Sequence, residues 1–199
     1  SGVDVLAEAL QLEEVDLEFL LRCFGGIGSP KAIKYILPWL DNTDERIQIS
    51  SVRALGGIPG SESISVLMNL LAKENPQISE RDRTANWNLN SRVTSRPRDA
   101  NGSQAKSKYI EELIISLGKL RSNTSVDLLI RFLFSKDEHL VIVAVESLAK
   151  IGDPRAISAL AQIIHTVGDE CQEVIARALG NMHNNAGIPL LIDLFETGA

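Results

Sequence analysis

A Leu-Gly pair, or a close substitute for it, returns along this chain at a fixed step: Gly25, Gly56, Gly118, Ala149 and Gly180 are separated by 31, 62, 31 and 31 residues. The longer gap is two steps. A period between about 20 and 50 residues belongs to chains whose units cannot bury their apolar face alone and stack on their neighbours. The columns around the Gly position keep one chemical character. Before it stand Phe24, Leu55, Leu117, Leu148 and Leu179, then Leu21, Val52, Ile114, Val145 and Ala176, with Leu20, Ser51, Leu113, Ala144 and Ile175 one residue earlier. Offsets of three, four and seven place these on one helical stripe.

After the Gly the apolar columns resume: Ile33, Ile64, Val126, Ile157, Ile188; then Ile36, Leu67, Leu129, Leu160, Leu191; then Leu40, Leu71, Leu133, Ile164, Phe195. The same spacing predicts a second helix in every unit. Small residues recur at its start, at Ala32, Ser63, Ser125, Ala156 and Gly187, where two helices of a hairpin approach closely. The stretches Gly28-Ser29-Pro30 and Gly152-Asp153-Pro154 supply a Gly to end one helix, a Ser or Asp to cap the next, and Pro in its first turn. The reading is an all-α solenoid of stacked two-helix units of about 31 residues, spanning 1–199 as one domain.

These residues resemble the short HEAT-like repeats of phycobilisome lyases, whose units look like V-R-x-x-A-x-x-A-L-G-x-I-G-D-P-x-A-I-x-x-L. The matching stretches are Ser51 to Ile58, Ala144 to Leu160 (AVESLAKIGDPRAISAL) and Ala176 to Gly180. The resemblance covers residues 14–75 and 107–199 and implies the fold. Its functional implication is broad, because such repeats serve in lyase subunits, scaffolds and regulators alike. It also implies an alternative function, a bilin lyase subunit or tetrapyrrole-binding protein, in which Arg92, Arg96 and Arg98 would meet bilin propionates.

Between Asn75 and Ser107 the pattern stops. Register positions that should be apolar are Ser79, Asp82, Arg83, Asn86, Ser95, Arg98 and Gly102. The stretch 76–106 therefore reads as a polar insertion, with a short helix at Ile78 to Leu89. It carries six cations against three carboxylates, a balance of +3 on a chain of net −6. A basic arm on an acidic scaffold either folds back on it or reaches for an acidic partner. Trp87 is the one aromatic there, and it either anchors the arm or contacts a partner. Trp39, by contrast, aligns with Leu70, Phe132, Ile163 and Leu194 and reads as core.

Signals for chemistry are sparse. His139, His165 and His183 lie at no metal-ligand spacing with Cys or carboxylates. The chain has no His-Glu dipeptide of the kind that holds the di-iron centre of the HEAT-repeat deoxyhypusine hydroxylases. No Gly-rich loop is followed by Lys-Ser or Lys-Thr, and no nucleophile elbow is present. Net charge −6 and pI near 5.1 oppose the concentrated basic face that phosphate-driven nucleic-acid binding needs. No run of 18 apolar residues predicts a membrane span.

Cys23 and Cys171 fall on apolar stripes of different units, as packing residues in a reducing, cytoplasmic compartment would. The opening Ser1-Gly2, a helix-like Val5 to Leu10 ahead of the first unit, and the apolar last helix suggest a segment of a longer array. What remains for function is the inner face of the second helices. There Lys34, Asn69, Arg131, Gln162 and Asp193 are expected to project in one row, with His165 in the next. Mixed charges and amides suit a protein or peptide partner. The expected function is thus a non-enzymatic interaction scaffold without a cofactor, with this row and the insertion around Trp87, Arg92, Arg96 and Arg98 as contact surfaces.

Overall fold

A computed structural model describes residues 2–11, 15–74, 100–182 and 184–197, and the side chains of all these but residues 100–106 and 197. Among them every regular element is a helix. The order is α1 (Gly2–Ala9), α2 (Leu17–Ile27), α3 (Ile33–Ile36), α4 (Glu45–Leu55), α5 (Ser61–Glu74), α6 (Ala100–Lys119), α7 (Val126–Phe132), α8 (Glu138–Ile151), α9 (Arg155–Ile163), α10 (Asp169–Asn181) and α11 (Ile188–Thr197). The chain forms two compact units, one of Ser1–Glu74 with Arg98–Leu120, the other including Arg121–Ala199.

In the first unit the first helices α2, α4 and α6 pack side by side, and α3 and α5 lie against α4. The apolar stripe is the cause: Leu21, Phe24, Val52, Leu55, Leu113, Ile114 and Leu117 are all fully buried. Ser51, the polar member of its column, is buried because its Oγ donates to the Ile47 carbonyl one turn back at 2.8 Å. The recurrent Gly is a consequence of how closely these helices approach. A methyl group on Gly25 would lie 2.8 Å from Ala54 Cα, and one on Gly56 would lie 2.5 Å from Ser116 Oγ.

In the second unit α8 packs on α7 and α10, and α9 and α11 complete the hairpins. Val145, Leu148, Leu160, Ile164 and Ile175 are fully buried. The left-handed turns are as the sequence predicts, and of the two expected caps Asp153 forms its side-chain bond while Ser29 forms none. Gly28 (φ 65) and Gly152 (φ 76) end α2 and α8 in left-handed geometry, their N–H groups bonded to Phe24 O and Leu148 O. Asp153 accepts the Arg155 N–H at 2.9 Å and so starts α9.

Three details depart from the sequence reading. The second helix of the opening unit is broken into α3 flanked by 3₁₀ turns at Pro30–Ala32 and Leu37–Trp39, since Pro38 lacks the N–H that would continue it. Trp39, at that broken end, is half-buried and not core. Finally, α6 begins at Ala100, so the last seven residues of the expected insertion 76–106 belong to a helix.

Candidate interaction surface

The second helices present the polar row. Asn69, Arg131, Gln162 and Asp193 share one column at the 31-residue step, whereas Lys34 stands one turn before that column, whose position in the opening unit is Pro38. In the first unit Lys34 and Asn69 are exposed, on α3 and α5. Lys34 Nζ rests 4.6 Å from the Tyr35 ring centroid, and Tyr35 stacks on the core ring of Phe24 at 5.8 Å. A cation so placed is steered by the ring face.

The second unit brings more of the row together. Arg131 is half-buried on α7, while Gln162, His165 and Asp193 are exposed on or just beyond α9 and on α11. His165 Nε2 and Asp193 Oδ2 lie 2.7 Å apart with both side chains about half exposed, a hydrogen bond that ties α11 to the end of α9. Trp87, Arg92, Arg96 and Arg98 lie outside the described residues.

Other polar contacts hold neighbouring repeats in register. Within the first unit Arg53, at the end of α4, grips Glu112 of α6 through two bonds of 2.7 and 3.2 Å. Glu112 is buried, and its carboxylate raises the Arg53 pKa. Within the second unit Arg155 donates to Asp127 at 2.8 Å, to Asp153 at 2.9 Å and to the Asn123 carbonyl at 2.8 Å. Hydrogen bonding from Arg155 holds the Asp153 carboxyl below the usual carboxylate range. These arginines are spent on structure.

Two clefts were not foreseen. One, of about 370 Å³ in the first unit, sets Asp41, Glu45 and Glu74 against Lys73 beside Tyr109. The other, of about 630 Å³ in the second unit, lies at the C-terminal ends of α8 and α10 and is rimmed by Arg121, Glu146, Lys150 and Arg177. One sequence signal marks the second. At the 31-residue step Arg121 occupies the position that holds Gly28 and Gly152. It also adopts the same left-handed conformation, φ 49, and is the sole described non-glycine residue with positive φ.

No group of three or more His, Cys, Asp or Glu among the described residues is arranged to hold a metal ion. Burial, with Glu138 and Glu170 nearby, pushes the Cys171 thiol up to about 11. Among the described residues no helix is long and apolar enough to cross a membrane.

Compared with known families, the chain matches HEAT repeats over residues 3–87 and 105–180. It belongs to the HEAT repeat family. That match continues past Glu74 to residue 87, and its internal gap is 88–104. No curated protein matches the chain. Among solved structures, a crystal structure titled as an engineered protein of the Northeast Structural Genomics Consortium is 19% identical. That likeness covers 98% of this HEAT repeat chain and 86% of the other, with a TM-score of 0.42.

Proposed function

We propose that this HEAT repeat protein is a non-enzymatic scaffold that holds a protein or peptide partner on its second helices. The supporting observation is the stepped row Arg131, Gln162 and Asp193 on three consecutive second helices, with His165 fixed to Asp193 at 2.7 Å. Side chains at one repeat spacing offer an amide, an imidazole and charges of both signs to a segment laid across the helices, the mixture through which polar interfaces gain register. Extended surfaces of this kind are how solenoids bind. The basic stretch with Trp87, Arg92, Arg96 and Arg98 is a second proposed contact.

The test is a pull-down from the source cell with three baits: wild type, Gln162→Arg with His165→Ala and Asp193→Lys, and Trp87→Ala with Arg92, Arg96 and Arg98→Ala. A protein held by wild type and lost with the triple variant supports the row, and loss with the second set supports the basic stretch. Absence of any specific partner, together with an absorption shift on adding biliverdin, would replace the scaffold by the tetrapyrrole handler that the lyase-type resemblance implies.

A further inference from the structure

We infer that the cleft at the C-terminal ends of α8 and α10 is a docking site for an acidic peptide segment of a partner. This inference rests on the scaffold reading and adds to it the chemistry of one partner and a place away from the row. The cleft is open to solvent and measures about 630 Å³ within the second unit. Its lining is mixed, with the apolar side chains Val174, Ala178 and Met182 largely buried in its floor. Its rim carries three cations, Arg121, Lys150 and Arg177, against the single carboxylate of Glu146. That sign is opposite to the chain's net −6, so the cleft is a local exception on an acidic protein.

All three cations are exposed, and the Arg177 pairing is a loose 3.7 Å contact with Glu173 one turn away. This differs from Arg155, which is occupied by two aspartates and a carbonyl. Arg177 lies before the last turn of α10, whereas a cation in the last turn offsets the negative end of the helix dipole, which accounts for Lys150 on α8. It does not account for Arg121. Left-handed backbone is unfavourable for a side chain bearing Cβ, and the equivalent turns use Gly28 and Gly152. A strained non-glycine residue beside a cleft points to a site that uses its side chain.

An acidic segment with interspersed apolar residues complements this surface: carboxylates meet the rim, aliphatic side chains meet the floor, and the exposed Asn181 amide can pair with peptide backbone. An open rim of exposed side chains fits an extended segment more closely than an enclosed small molecule.

The probe is a fluorescein-labelled decapeptide of alternating Glu and Leu, read by fluorescence anisotropy beside its Lys-Leu counterpart. Saturable binding of the acidic peptide alone is expected, weakening as salt rises from 50 to 500 mM by screening. Lys150→Glu with Arg177→Glu should weaken it at least about tenfold, and Glu146→Lys should tighten it about threefold, a gain that misfolding cannot imitate. Arg121→Gly should weaken it about threefold while the thermal midpoint holds or rises, because glycine accepts the left-handed turn. No saturable binding, or equal affinity across these variants, overturns the site. Either result leaves the scaffold reading intact, since that reading fails only in the pull-down.

Discussion

Arg53 and Glu112 show how one pair fixes two repeats. Their two bonds join helices 59 residues apart, and Glu112 is 7% exposed whereas more than half of the Arg53 side chain meets solvent. Removing the arginine leaves a carboxylate in a place poor in water, with Lys119 Nζ 4.0 Å away as the remaining cation. Arg53→Ala should cost about 1–3 kcal/mol by equilibrium urea unfolding, held to that range because Arg53 is itself exposed. Arg53→Ala with Glu112→Leu should recover most of the loss. Cys171 gives the second residue-scale prediction. Its thiol is neutral when folded to about pH 11, against 9.0 for an ordinary thiol. A folded pKa raised in this way contributes stability below pH 9 that is lost as pH climbs through 11. Wild type should therefore lose more stability between pH 8 and 10.5 than Cys171→Ala. Equal losses would mean that the thiol is not shielded as described.

At the scale of the helix, the recurrent Gly does two different things in one column. On Gly56 a methyl group meets Ser116 Oγ at 2.5 Å and Ser116 Cα at 3.0 Å, so Gly56→Ala must push α4 and α6 apart. On Gly180, near the end of α10, nothing lies within 4 Å, and Ala is the better helix former by about 0.5–1 kcal/mol. Thermal unfolding should show Gly56→Ala destabilised by about 1–3 kcal/mol and Gly180→Ala stabilised by up to about 1. The sequence predicts the column, the hairpins and the left-handed turns because each depends on residues close along the chain. It also places Gln162 and Asp193 on the second helices, while His165 falls in the turn just after α9. It does not reveal the break of α3 at Pro38, which needs the local cost of a missing N–H weighed against an otherwise regular stripe. Nor does it reveal the start of α6 at Ala100, where Asn101, Gly102 and Ser103 read as loop. The Arg53–Glu112 grip and the two clefts are hidden for another reason. They arise where separate repeats meet, and a one-dimensional period records only which side of a helix is apolar.

At the scale of the molecule, each unit is a row of hairpins in which a residue's fate is decided by the repeat beside it. The column Leu40, Leu71, Leu133, Ile164 and Phe195 makes this visible. Its first four members are at most 7% exposed, whereas Phe195 is 87% exposed. Identical register therefore predicts unlike energetics, and a HEAT stack in which neighbours do the burying accounts for both. Equilibrium urea unfolding of Ile164→Ala beside Phe195→Ala tests this most directly. The stacked-repeat account predicts a loss of about 2–5 kcal/mol for Ile164→Ala and under about 0.5 kcal/mol for Phe195→Ala. Similar losses for the two, or the larger one at Phe195, would contradict it.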